Sequence, residues 1–138
     1  MPTADPESLL LDTHALLWWQ AGSDLLSARA RRLIDAAPRL FVSPISLTEV
    51  ATLVGQGNVA LDRPTQMWVH DLLADGIVST AELTPTIAVA SAQLDEFSGD
   101  VADRIIYATA VHHQLALVTK DPVLTDYARS HDDTLVVW

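Results

Sequence analysis

At 138 residues the chain has the length of one ordinary domain, enough to bury roughly 70% of the surface its unfolded form exposes without any cross-link. It has no cysteine, which excludes disulfides and thiolate zinc sites and fits a reducing compartment. Its 18 acidic residues outweigh 8 lysines and arginines, for a formal net charge of -10, so charge alone does not grip nucleic acid and the acids point to bound cations or a basic protein partner.

Along the chain, "MPTADPE" (1–7) lacks the basic start and apolar core of a secretory signal and reads as a flexible tail. "SLLL" (8–11) is strand-sized, and "THALLWW" after Asp12 reads as a short helix. "SARARRLIDAA" after Ser27 is helical, its arginines 29, 31 and 32 on a solvated face. "LFVS" (40–43) is a strand and "SLTEVATLVGQ" from Ser46 a helix. Further helices are expected at "TQMWVHDLLAD" after Pro64, "PTIAVASAQLDEF" after Thr84 and "VADRIIYATAVHH" after Asp100, and strands at "IVST" (77–80), "LALVT" (115–119) and "TLVVW" (134–138). Most strands lack alternation, so both faces are buried; interleaved with helices, they predict an α/β fold with a parallel sheet covered on both sides. No repeat or linker divides the chain, so residues 1–138 read as one domain. No apolar run nears the roughly 20 residues of a membrane span, and a cytoplasmic chain without membrane association is expected.

Four acids are spaced so that they can face one edge of that sheet. Asp12 ends the first strand, Glu49 lies one turn into the helix after "LFVS", Asp103 is in the first turn after Asp100, and Asp121 follows "LALVTK". Ligands in parallel sheets bind beyond the carboxyl ends of the strands. Carboxylates converging there repel one another unless some stay protonated or divalent cations bind. Oxygen-only ligands point to Mg²⁺ or Mn²⁺, one or two ions, which can activate water for phosphodiester hydrolysis. Each acid also has capping work open to it: Asp12 and Asp100 as N-caps, Ser46 with Glu49 as a capping box in "SLTE", and Asp121 as the cap before Pro122.

In order and spacing, "LLLDTHALLWW", "SPISLTEVA", "GDVADRIIYATA", "LVTKD" and the final "LVVW" resemble the PIN-domain ribonuclease toxins of bacterial VapBC (type II) toxin–antitoxin systems nearly end to end. The resemblance implies a three-layer α/β/α sandwich on a parallel sheet of four to five strands. It implies a metal-dependent endoribonuclease of the bacterial cytoplasm, leaving a 5′-phosphate and a 3′-hydroxyl, and neutralised by a cognate VapB-like antitoxin. Carried over, it makes Asp12, Glu49, Asp103 and Asp121 the catalytic acids, with Asp12 and Asp103 as direct metal ligands and Glu49 and Asp121 binding directly or through water. Ser46, Asp100 and Thr119 would support them from behind, and Arg104 and Lys120 are the candidates for phosphate contact. Homodimers or larger complexes with antitoxin are implied, and DNA is reached only through the antitoxin. The loop "DEFSGDVAD" and the helix after Glu49 lack the basic residues relatives carry there.

Trp18 and Trp19 are adjacent on a helix and point about 100° apart, so one is expected to pack and the other to stay exposed as an antitoxin contact. His112 and His113 suit a helix C-terminus. Two other functions fit less well. A receiver-type phosphoryl-transfer domain needs an acceptor Asp on a middle strand, which "LFVSPIS" and "IVSTAEL" do not offer; a catalytically inactive PIN-fold binding module does not need all four acids.

Overall fold

Leu9, Leu10 and Leu11 are all fully buried, although successive side chains of a strand point to opposite faces. Such a run needs a sheet covered on both sides, and the fold supplies one. A computed structural model of the chain describes residues 5–138. Residues 1–4 of the expected tail lie outside the described residues; within the rest of it, Asp5 pairs with Arg32 at 3.1 Å.

In chain order the elements are β1 (Ser8–Leu11), α1 (Thr13–Gln20), α2 (Ala28–Ala36), β2 (Arg39–Val42), α3 (Pro44–Gly55), α4 (Thr65–Ala74), β3 (Val78–Thr80), α5 (Pro85–Ala92), α6 (Val101–His113), β4 (Ala116–Val118), α7 (Pro122–His131) and β5 (Val136–Val137). The strands form one parallel sheet in the order β3-β2-β1-β4-β5. Leu9, Leu11, Val42 and Val118 face a core built with Leu16 of α1, Ile34 of α2 and Leu72 of α4. Leu10 and Leu117 face the other way, onto Ile106 and Tyr107 of α6 and Leu124 of α7. The result is the expected α/β/α sandwich, with five strands among the described residues. No helix among them is long and apolar enough to cross a membrane.

Two helix boundaries differ from expectation. α3 begins at Pro44 and not at Ser46, with Ser43 as its N-cap, the Ser43 Oγ accepting from Ile45 N at 3.2 Å. Proline is preorganised for the first helical position and Ser43, held extended before it, is the better cap. The capping-box reading of Ser46 and Glu49 is therefore wrong, for both lie inside the helix. α5 ends at Ala92, short of the expected Phe97; Glu96 takes φ 57° and the chain turns so that Phe97 enters the core.

The register aligns the site. Leu11 is level with Val42 on one side and Val118 on the other, so the residues that follow, Asp12, Ser43 and Thr119, stand level at the carboxyl edge. The strand order reverses about β1: the chain leaves it for β2 on one side and returns through β4 on the other. Such a switch point opens a crevice at the sheet edge.

Candidate active site

Asp12 is a buried carboxylate with two different jobs. Its Oδ1 accepts from Ala15 N at 2.8 Å, capping α1, and its Oδ2 accepts from the Thr119 hydroxyl at the end of β4. Thr119 Oγ1 in turn accepts from Asp121 N at 3.0 Å, and Asp121 Oδ1 caps α7 through Val123 N at 2.8 Å. The capping readings of Asp12 and Asp121 thus hold, and the same bonds fix where their charges sit. Glu49, in the second turn of α3, has no capping job; its Oε1 accepts from the hydroxyl of Thr13. Ser46, one turn earlier, is fully buried, and its Oγ has no hydrogen-bond partner among the described residues.

Asp100 caps α6, its Oδ1 accepting from Asp103 N at 2.9 Å, and so binds the third acidic segment into one unit. Gly99 is where that unit meets the core. A Cβ on Gly99 would lie 2.2 Å from Phe97 Cε1 and 2.9 Å from Asp103 Cβ, and Phe97 is itself held between Tyr107 and Tyr127. Gly99→Ala is therefore expected to destabilise the fold by roughly 1–3 kcal/mol through overpacking and to displace Asp103; denaturant unfolding beside a cleavage assay measures both. Arg104 also has a structural job: its guanidinium hydrogen-bonds the carbonyl oxygens of Leu94 and Phe97 and lies 5.4 Å from the Phe97 ring centroid, so it clamps the loop before α6. Lys120, between Thr119 and Asp121, is exposed, its Nζ 6.0 Å from the Trp18 ring centroid.

The acids feel one another. Burial pushes the Asp12 carboxyl above the usual carboxylate range and Asp121 adds to this, while the Thr119 hydroxyl, Ala15 N–H and His14 pull it down. Asp103 is pushed up to about 7 by burial first, then by Asp100 and Asp121. Asp12, Asp103 and Asp121 therefore share one field. They do not form a ready-made cage: among the described residues no three His, Asp or Glu side chains are grouped to hold an ion together. Asp12, Glu49 and Asp121 each accept from a protein donor. An open set still suits Mg²⁺, which keeps several waters and is bound through one or two carboxylates. The donors are oxygens, and the raised Asp12 and Asp103 mark where a cation would relieve charge, so the residues fit such an ion.

Trp18 and Trp19 are both half-buried, against the expectation of one packed and one exposed. Trp18 meets Trp138 edge-on at 5.8 Å between ring centroids, and Trp19 Nε1 donates to Asp35 at 3.1 Å. Both rings pack partly against the same core, so neither stands wholly inside or outside. The two rings line a groove of about 1050 Å³ with Trp68, Leu53, Leu61 and Leu72. The sequence reading passed over Thr13 and Gly99. A threonine directly after a strand-end acid, and a glycine before the Asp100 cap, were the available signals.

Residues 9–130 match the family model described as PIN domain. The chain is 39% identical over 132 residues to Ribonuclease VapC22 of Mycobacterium tuberculosis, covering 95% of this chain and 98% of that one. Among solved structures it resembles a toxin-antitoxin complex from Klebsiella pneumoniae (TM-score 0.65, 23% identity, 94% of this chain and 96% of that one). It also resembles VapBC2 from Rickettsia felis, bound to a DNA fragment from its promoter (TM-score 0.65, 14% identity, 95% and 98%). At those identities the structures speak to the fold.

Proposed function

The chain belongs to the PIN-domain family as a homologue of a VapC ribonuclease, and from that premise we propose that it is the toxin of a toxin–antitoxin pair, an endoribonuclease that hydrolyses RNA phosphodiester bonds with a divalent cation in the bacterial cytoplasm. What supports the reading most is the link of Asp12 to Asp121 through Thr119 at the switch point of the sheet, with Asp121 adding to the burial that raises both Asp12 and Asp103. Asp12 and Asp103 would hold Mg²⁺ or Mn²⁺, with Glu49 and Asp121 joining directly or through water. The ion supplies a water of lowered pKa and positive charge against the phosphate.

The chain's own part is orientation. Thr119 fixes Asp12 and, through Asp121 N, the first turn of α7. Asp100 holds the α6 amino terminus that carries Asp103. Ser46 has a buried hydroxyl to offer a water or a phosphate oxygen, and Lys120 offers the exposed cation beside the acids. Lys120 and Arg104 are the phosphate contacts of this reading, Lys120 as the exposed one and Arg104 while also holding its loop. The aromatic groove of Trp18 and Trp19 suits a cognate VapB-like antitoxin, and the net charge of -10 suits a basic segment of it.

Purified protein is expected to cut RNA with Mn²⁺ or Mg²⁺, leaving a 5′-phosphate and a 3′-hydroxyl, and to stop in EDTA. Cleavage that persists in EDTA would remove the metal from the mechanism. Calorimetry that finds no Mn²⁺ binding, together with no cleavage, would favour an inactive binding module.

A further inference from the structure

We propose that Thr13 is the positioning residue for the Glu49 carboxylate, an assignment that rests on Glu49 belonging to the acidic site. Asp12, Asp100 and Asp121 are each aimed by a backbone N–H of the helix they cap. Glu49 has no such guide, because it lies in the second turn of α3, where every backbone N–H is already used by the helix. Its long side chain has several rotatable bonds to fix. Among the described residues the Thr13 hydroxyl is the one donor that reaches its carboxylate, at Oε1 and across 36 positions of sequence.

The bond is fixed from the threonine side as well. Thr13 is buried, 4% exposed, at the first position of α1, where an unpartnered hydroxyl is costly. Packing of α1 on α3 leaves Glu49 as its acceptor. A hydrogen bond to a carboxylate is stronger than one between neutral groups, and this one engages Oε1 while leaving Oε2 free. Two consecutive residues therefore tie the site together: Asp12 binds across to β4 through Thr119, and Thr13 binds across to α3 through Glu49. The β1–α1 corner sets the spacing between acids drawn from three elements.

The test compares Thr13→Val, Thr13→Ser and Glu49→Gln by Mn²⁺ titration calorimetry and by RNA cleavage, with thermal melts to check folding. Thr13→Val is expected to weaken Mn²⁺ binding and cleavage roughly 10–100-fold, as loss of a ligand's supporting hydrogen bond does. Thr13→Ser, which keeps the hydroxyl, retains both, and Thr13→Val with Glu49→Gln is no worse than Glu49→Gln alone. A Thr13→Val protein that binds and cleaves like the wild type while Glu49→Gln is impaired overturns the assignment, as does a Thr13→Ser protein as impaired as Thr13→Val. If Glu49→Gln itself behaves as wild type, the reading of the acidic site falls and takes this assignment with it.

Discussion

Asp12→Asn is expected to lower divalent-dependent RNA cleavage by at least about 10³-fold, the upper range for loss of a group acting on the reacting atoms, while leaving the protein as stable as the wild type or more so in EDTA. The substitution separates two roles that the structure joins in one side chain. Asparagine caps a helix as well as aspartate does, so the bond from Ala15 N survives. Its amide nitrogen faces Thr119 Oγ1, which retains a lone pair beside the bond it accepts from Asp121 N. What disappears is a buried carboxyl whose ionised form is disfavoured chiefly by desolvation. Relief of that burden offsets the weaker tie to Thr119. Cleavage rates beside thermal melts read both effects; a variant that cuts RNA within tenfold of wild type would reduce Asp12 to a cap.

The second large effect is on the pH dependence of stability. Asp103 titrates at about 7 in the folded chain against a reference value of 3.8. For an acid raised on folding, the neutral form is the one the fold favours. Its contribution is fully present below the unfolded value and is lost as pH rises through about 7. Without divalent cations the melting temperature should therefore fall between pH 5 and pH 8. After discounting for solvent around this half-exposed group the effect is on the order of 1 kcal/mol, or roughly 3–5 °C. Millimolar Mg²⁺ or Mn²⁺ binds the ionised form and should flatten the slope by raising stability at pH 8 more than at pH 5. Asp103→Asn should make it shallower without any metal, leaving the share of Asp12. A slope that is the same in wild type and Asp103→Asn would assign the titration elsewhere.

Much of this architecture was legible because the informative residues act locally. Unalternating "LLL" demanded two covered faces, and Asp12, Asp100 and Asp121 each carry a cap signature that also fixes their place on the sheet edge. The start of α3 was misread because "SPIS" offers two serines, and the glutamate three residues after Ser46 mimics a capping box. Proline decided it in favour of Ser43. The loop-holding job of Arg104 was not legible for a different reason: its acceptors are the backbone carbonyls of Leu94 and Phe97, which no side-chain pattern announces. The roles of Thr13 and Gly99 depend on contacts between elements, one across 36 residues and one against an aromatic ring. Charges at a sheet edge can be foreseen from spacing; what aims them cannot.

The bond between Asp12 and Thr119 spans 107 residues of sequence, and β4, which follows β2 and β3 in the chain, lies beside β1 on the side opposite to them. During synthesis the first acid emerges early and waits for nearly the whole chain. Until residues 119–121 leave the ribosome, Asp12 lacks the hydroxyl that orients it and Asp121 does not exist. Pairing so remote in sequence is also the slow part of folding. A site whose first acid is oriented by a hydroxyl 107 positions later is complete only once the carboxyl-terminal part of the chain has been made.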